Sequence, residues 1–145
     1  MVPGTEAAYC AAKGIIAWQM GKLQAWKGSE PMRAFWLGAI GYPLIELAYR
    51  RRTHPSMALA GGISTALLRR ISQTDRPLWQ QALLGGLVIT GIEYGIGKVV
   101  NRRYRIWDYR HVPLNVQGQI CLPFTLAWCG MSAAVLGAFR IWDRC

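Results

Sequence analysis

Four apolar stretches follow one another along the chain, separated by short polar segments. They cover residues 34–49, 57–68, 79–100 and 120–142. A helix needs about 20 mainly apolar residues to cross a bilayer. The last two stretches are therefore predicted spans, whereas 34–49 is barely long enough and 57–68 predicts a thin or half-spanning helix.

The amino-terminal part of the chain has a different pattern. Residues 7–26 fit an apolar helical stripe only roughly, because Lys13, Gln19 and Lys22 interrupt it. This predicts an interfacial amphipathic helix within residues 1–30. We therefore expect an all-α integral membrane protein, in which a bundle of about four transmembrane or half-spanning helices (residues 31–145) follows this segment.

Small residues recur inside the predicted spans. Gly91 and Gly95 form a GxxxG pair, which in membrane helices commonly marks a close contact between helices. Gly130 with Ala134 has the same spacing. We expect these positions, Gly91 and Gly95 above all, to face a neighbouring helix.

A long connection, residues 105–123, lies between the last two apolar stretches and has no helical or strand-like period. It is dense in aromatic, acidic, amide and basic side chains, and long connections with such content are often functional. We expect an ordered loop in which Asp108 pairs with a nearby arginine, Trp107 and Tyr109 bury their rings, and Asn115 caps the helix that follows. The alternative is a solvated turn.

Composition and charge agree with a membrane protein. Charged residues make up 17% of the chain, below the usual ~25%, while seven Trp and 16 Gly are many for 145 residues. The net charge of +10 comes with no nucleic-acid-binding motif, so we expect no nucleic acid as a partner. The basic residues cluster at the ends of apolar runs, where anionic lipid headgroups attract them. The expected headgroup contacts are Arg50, Arg51, Arg52, Arg102, Arg103 and Arg105.

Charge does not fix the orientation in the membrane. The loops after the first and third stretches hold eight Lys and Arg, and the opposite face with both termini holds nine. The tighter clusters favour a cytoplasmic location for the two loops. The membrane itself is expected to be a bacterial inner membrane or an organellar inner membrane.

Familiar catalytic and metal-binding patterns do not emerge from the sequence. The four cysteines have no CxxC spacing, and both histidines stand beside prolines or in basic loops. We therefore expect free thiols, no cofactor or metal, and no enzymatic activity. An intramembrane enzyme is the most distant of the alternatives, because no nucleophile and base form a recognisable set.

Two acids, Glu46 and Glu93, lie inside the predicted spans. A carboxylate in hydrocarbon is costly, so it usually faces the bundle interior and finds a partner. For Glu46 the structural alternative is an ion pair with Arg50 one helical turn later. Glu93 has Gly97 at that position, so its partner must come from another helix, Lys98 or the 105–123 connection.

A weak internal repeat relates the two halves of the bundle. Each half has an Ile-Glu pair, then arginines, a histidine near a proline, and glycine. Duplicated hairpins, over residues 34–70 and 79–142, would place Glu46 and Glu93 at matching depths and both loops on one face. Chance similarity between two short helix ends explains the same pattern.

The second half also resembles a known family. The resemblance rests on an ordered set of residues between 85 and 130, with Arg110 where the family usually has Ser. These residues are Glu93, Trp107-Asp108-Tyr109, Pro113-Leu114-Asn115, Gly118, Ile120-Cys121-Leu122 and Trp128. They are similar to the pattern of the CmpB-like type IV ABC-transporter family, small multi-spanning membrane proteins. The resemblance implies that architecture. Any energised transport would require a separate ATPase, because this chain has no nucleotide site.

Two functions fit these observations. The first is a permease-like component that binds or passes a small polar solute or ion between its hairpins. The second is a non-catalytic accessory subunit that docks on a larger membrane complex through glycine-rich helices and basic loops. Membrane lipids and other membrane subunits are the expected partners. The expected polar site, functional or structural, consists of Glu46, Glu93, Trp107, Asp108, Tyr109 and Asn115.

Overall fold

Four helices and one small β-ribbon make up the part of the chain, residues 30–144, that the computed structural model describes. The predicted amphipathic helix and its boundary at residue 30 concern residues outside this part. The elements in chain order are α1 (residues 30–50), α2 (Pro55–Ser72), α3 (Leu78–Val100), β1 (Asn115–Val116), β2 (Ile120–Cys121) and α4 (Leu122–Trp142). The all-α class is confirmed.

Within residues 30–144, two helices are long and apolar enough to cross a membrane, and the two long apolar stretches form them: α3 with 23 residues and α4 with 21. α4 begins two residues later than expected because Ile120 and Cys121 form a strand, and Pro123 then lies in the first helical turn. α3 ends at Val100, and Asn101 follows as its C-cap, with a backbone amide that donates to Gly97 O. The predicted bounds of both helices are correct to within two residues.

The first two helices are longer than their apolar stretches. α1 continues through Pro43 and stops where Arg51 adopts a left-handed conformation with φ of 55°. α2 has 18 residues, about 27 Å at 1.5 Å per residue. His54 caps it, since its ring Nδ1 accepts from Ser56 N at 3.2 Å. The apolar stretch underestimated the length of α2 because residues at both ends of this helix are polar.

The loops after α1 and α3 lie at the same end of the bundle. Arg50 Nη1 donates to Ile106 O at 3.3 Å and so joins the two loops directly. A buried cluster of Met57, Trp107, Tyr109 and Cys121 fills this end. The two loops therefore meet at one end of the bundle, and the internal repeat stays a prediction.

The opposite end has a separate buried cluster of Leu68, Ile71, Ala82 and Leu136, drawn from α2, α3 and α4. Arg69, 5% exposed, forms a two-pronged ion pair with Asp143 at 2.6 and 2.8 Å. This pair fastens the end of α2 to the end of α4.

Glycines do bring helices together, but not the predicted ones. Gly91 and Gly95 are exposed, and a Cβ at either would meet no atom within 4 Å in the described chain. No helix of residues 30–144 packs on these two positions, so the predicted contact is not made within this part of the chain. The contacts are made earlier in α3, where a Cβ on Gly86 would lie 2.7 Å from Cys129 N and one on Gly85 2.8 Å from Ser132 Oγ.

A second glycine contact joins α1 and α2. A Cβ on Gly61 would lie 2.5 Å from Gly38 O and 2.6 Å from Tyr42 Cβ. The two backbones therefore touch at this crossing, as small residues allow. This close contact joins Gly38 and Gly61, which are 23 positions apart in the sequence. No local spacing such as GxxxG predicts it.

Candidate functional site

Glu93, in the carboxyl-terminal half of α3, has both carboxylate oxygens hydrogen-bonded. Tyr109 OH donates to Oε1 at 2.8 Å, and Trp128 Nε1 donates to Oε2 at 2.9 Å. The acid is thus held by the loop on one side and by α4 on the other. The expectation that its partner comes from another helix or from the loop is confirmed.

Both donors are fixed by packing. The Tyr109 ring stacks on Phe124 with centroids 4.7 Å apart, and Tyr109 N donates to Gly118 O at 3.0 Å. Trp128 lies between Phe124 at 6.5 Å and Tyr42 at 6.0 Å. We call these four rings the aromatic collar. Since the collar residues come from α1, the loop and α4, the position of the Glu93 donors depends on the assembled bundle.

The Tyr109 hydroxyl is suited to donate. Burial, and then the neighbouring charge of Glu93, raise the pKa of Tyr109 above its usual range. It therefore remains protonated at every physiological pH, and its proton is available to the carboxylate. Trp128 can only donate. Both partners therefore favour the ionised form of Glu93.

Beside Glu93 lies a cavity of about 290 Å³, lined by all four helices. Its walls are mainly aliphatic and aromatic. Its polar lining residues are Tyr42, Ser64, Thr65 and Glu93. Thr65 Oγ1 donates to Gly61 O at 2.8 Å, so that hydroxyl proton is used within its own helix. Among the residues lining the cavity, all from the described chain, Glu93 is the one acid and none is basic.

Glu46 has a different role. Its Oε1 accepts from Arg50 Nη2 at 2.7 Å and its Oε2 from Thr53 Oγ1 at 3.1 Å. The ion pair one helical turn apart is thus present, and Glu46 does not line the cavity. Because Arg50 also bonds Ile106 O, Glu46 stabilises the joint between the two loops.

Trp107 is buried, at 4% exposure, and Nε1 donates to Gln119 O at 2.9 Å. The expectation that it buries its ring with the polar atom bonded is confirmed. It lies outside the cavity lining, however, so it is not a wall of that space. Its ring instead packs against α3, where a Cβ on Gly97 would lie 3.0 Å from Trp107 Cζ2.

Asp108 and Arg110 form a local, exposed pair. Arg110 Nη2 donates to Asp108 Oδ2 at 2.7 Å, and Arg110 N donates to Oδ1 at 3.0 Å. These two bonds, the side-chain one first, lower the pKa of Asp108 to about 2. The predicted pairing is present, but it links residues two apart and reaches neither Glu93 nor the cavity.

The residues that tie the loop to the bundle are two buried amides, Asn101 and Gln119, exposed by 1% and 2%. Asn101 Nδ2 donates to Trp107 O at 2.7 Å, and its Oδ1 accepts from Ile106 N at 2.9 Å. Gln119 Nε2 donates back to Asn101 O at 3.1 Å. The prediction of an ordered loop is confirmed, but these amides anchor it rather than Asp108.

Asn115 closes the ribbon instead of capping α4. Its Oδ1 accepts from Gly118 N at 3.0 Å, the predicted amide three residues on. No helix begins there, because residues 115–121 form the antiparallel ribbon, in which Val116 pairs with Ile120. Gly118 lies in the left-handed region, at φ of 64°, where glycine is favoured.

The proposed headgroup residues lie around the two loops. Arg50 is engaged with Glu46, and Arg102 Nε donates to Lys98 O at 2.9 Å. All six proposed headgroup residues are exposed at this end: Arg50, Arg51, Arg52, Arg102, Arg103 and Arg105. Their placement leaves a basic rim around the loop end of the bundle.

Sequence reasoning missed the two amides and, apart from Tyr109, the aromatic collar. Tyr42 and Phe124 are unremarkable in an apolar stretch, and their importance depends on which helix faces them. Asn101 and Gln119 carried a weak signal, as amides at the two ends of a connection rich in polar side chains. Trp128 was noted only as part of a family pattern.

The fold and site of residues 30–144 define a class: a helical bundle, α1 to α4, with an apolar cavity and one cavity-facing acid, in which two helices are long and apolar enough to cross a membrane. A family model matches residues 55–142, which is more than half of the chain. The chain belongs to that family, described as "Putative ABC-transporter type IV". Family and helices together indicate a membrane location. No curated protein and no solved structure matches the chain.

Proposed function

We propose that this protein is a permease-like membrane component that holds a small solute in the cavity between α1, α2, α3 and α4, with Glu93 as the polar contact. The observation that carries the proposal is the cavity itself. All four helices line it, and its one acid is held in place by donors from the loop and α4. Solute sites in transporters commonly lie between repeated halves of the bundle.

The outer surface supports insertion in a bilayer. Only 28% of the most apolar 18-residue stretch of α3 and 11% of that of α4 is buried. A core helix of a water-soluble protein would bury most of such a stretch. Many large apolar side chains outside the cavity lining are correspondingly exposed, among them Leu126 at 61%, Ile40 at 60% and Leu87 at 55%. Lipid contact would satisfy this surface.

The ends of the bundle fit the same proposal. Trp79 and Trp142, at the end opposite the loops, are 66% and 61% exposed, as interfacial tryptophans are. The basic rim at the loop end would meet anionic headgroups. We infer that the bundle spans the bilayer between these two borders.

The test fills the cavity. Ala60, on α2, lines the cavity, so Ala60→Phe reduces its volume without touching Glu93. Ala127→Phe is the matched control, because Ala127 is exposed on α4 and does not line the cavity. A panel of small solutes is added to detergent-purified protein, and melting temperature is followed. We expect at least one solute to stabilise wild type and Ala127→Phe but not Ala60→Phe. No solute with that pattern would reject the proposal.

A second candidate is a non-catalytic subunit of a larger membrane complex. The observation that favours it is that Gly91, Gly95, Gly130 and Gly137 would each meet no atom of the described chain if given a Cβ. Glycines on a membrane-facing surface commonly admit a partner helix. Purification in mild detergent separates the two candidates, because stable co-elution with other membrane subunits, without any cavity-dependent solute effect, favours this second one.

A further inference from the structure

We propose that the solute of the four-helix cavity is an organic cation with an apolar body. This inference rests on the proposed function and narrows it: the sequence favours a small polar solute or ion, whereas the cavity walls are mainly aliphatic and aromatic. A hydrated ion or a sugar would lose its hydrogen bonds to water there without replacements. An apolar body would fill the cavity and keep water away from its apolar side chains.

The charge of the solute follows from Glu93. Its two bonded partners, Tyr109 and Trp128, are neutral donors. Within residues 30–144, no Lys, Arg or His nitrogen forms an ion pair with it. The nearby Arg50 is already bonded to Glu46. Glu93 is therefore oriented and hydrogen-bonded but has no ion-pair partner in a low-dielectric space, so a cation that enters the cavity would stabilise its carboxylate form and be strongly attracted to it.

The rings next to Glu93 point to the same class. Tyr42, Trp128 and Phe139 line the cavity, and the Tyr42 and Trp128 rings lie 6.0 Å apart, beside the acid. Aromatic faces attract organic cations, quaternary ammonium groups in particular. A cavity of about 290 Å³ suits a compact molecule near the lower end of ligand-sized pockets. We place the cationic group between Glu93 and the rings of Tyr42 and Trp128. The apolar part of the solute then lies toward α2 and Phe139.

The experiment compares three probes of similar size. Benzyltrimethylammonium is the cation, neopentylbenzene its uncharged isostere, and benzenesulfonate the anion. Binding to detergent-purified protein is measured by titration calorimetry and by melting temperature. Four proteins are used: wild type, Glu93→Gln, Ala60→Phe and Asp75→Asn. Asp75 is exposed in the turn between α2 and α3 and does not line the cavity, so its variant removes a charge elsewhere.

We expect the cation to bind wild type and Asp75→Asn equally, and to bind Glu93→Gln roughly tenfold or more weakly, about 1.4 kcal/mol. The neutral isostere should bind wild type and Glu93→Gln alike, and Ala60→Phe should weaken both. Equal binding of the cation to wild type and Glu93→Gln, or binding of benzenesulfonate as tight as that of the cation, would overturn the cation assignment.

The outcomes also separate this inference from the function on which it rests. If an uncharged solute stabilises wild type but not Ala60→Phe, while the cation shows no preference for Glu93, the cavity remains a solute site and only the cation class is rejected. If Glu93→Gln does not fold, the wild type decides the cation class, because the cation must bind more tightly than both neopentylbenzene and benzenesulfonate. Ala60→Phe then decides whether that binding lies in the cavity. Binding of the cation that is indifferent to Ala60→Phe lies outside the cavity and counts against the inference.

Discussion

Single side chains decide how the loop of residues 101–121 is held. The charged pair Asp108 and Arg110 is partly exposed and local, so it fixes one turn. The amides of Asn101 and Gln119 are almost fully buried and bond to the backbone on both sides of the loop. A buried polar group that loses its partner costs more than an exposed one, because water cannot replace the bond.

The first prediction therefore compares these two kinds of residue. Asn101→Ala leaves Ile106 N and Trp107 O without their partner, at a cost of about 1–3 kcal/mol for each buried group. We expect a lower melting temperature and faster amide exchange over residues 105–118. Asp108→Asn, the control, keeps an acceptor for Arg110 N and should change both much less. An equal effect of the two variants would show that Asp108 anchors the loop after all.

For single residues, the sequence was sufficient where the energetic cost of a residue can be recognised from its neighbours along the chain. Glu93 stands out because an acid within an apolar run is expensive, whatever the fold. The same reasoning could not distinguish its role from that of Glu46. That distinction depends on what lies across from each: Arg50 and Thr53 for Glu46, and Tyr109 with Trp128 for Glu93.

At the scale of the helices, packing depends on which glycines face inward. In α3, Gly85 and Gly86 pack on α4, while Gly91 and Gly95 are exposed. Because an α-helix turns by about 100° per residue, these two pairs of glycines lie on different faces of α3. A GxxxG spacing shows only that its two glycines share a face. It does not state which face meets the neighbour.

The second prediction uses this difference within one helix. Gly86→Ala would place its Cβ 2.7 Å from Cys129 N, and because that neighbour is backbone, α3 and α4 would have to move apart. We expect a clearly lower melting temperature and less folded protein in detergent. Gly91→Ala, the matched control, meets nothing in the described chain and should melt at or above the wild-type temperature. If Gly91→Ala destabilises as much as Gly86→Ala, the helix faces are assigned wrongly.

On the scale of the whole molecule, both loops lie at one end of the bundle, with the α2–α3 turn at the other. If the bundle spans a bilayer, as proposed, this arrangement predicts the membrane topology. Positions in the two loops would face the same side of the membrane. The turn at residues 73–77 would face the opposite side.

The third prediction tests that topology by labelling single cysteines with an impermeant maleimide in intact vesicles, in a background without the native cysteines. Arg52→Cys and Arg103→Cys should react from the same side, and Asp75→Cys only from the other side. All three positions are exposed, so burial does not limit the reaction. Reaction of all three from one side would contradict a spanning bundle, and reaction of Arg52→Cys and Arg103→Cys from opposite sides would contradict the shared loop end.

By itself the sequence determined the helical class and the bounds of α3 and α4 to within two residues. It also predicted that the loop is ordered and that Glu93 has a partner within the protein. These follow from properties that add along the chain, such as apolar length and the cost of a charge. The tertiary structure alone decided the inward glycines, the aromatic collar, the anchoring amides and the separation of Glu46 from the cavity. These depend on how the helices are rotated against each other, because rotation sets which side chains meet and no local stretch of sequence specifies it.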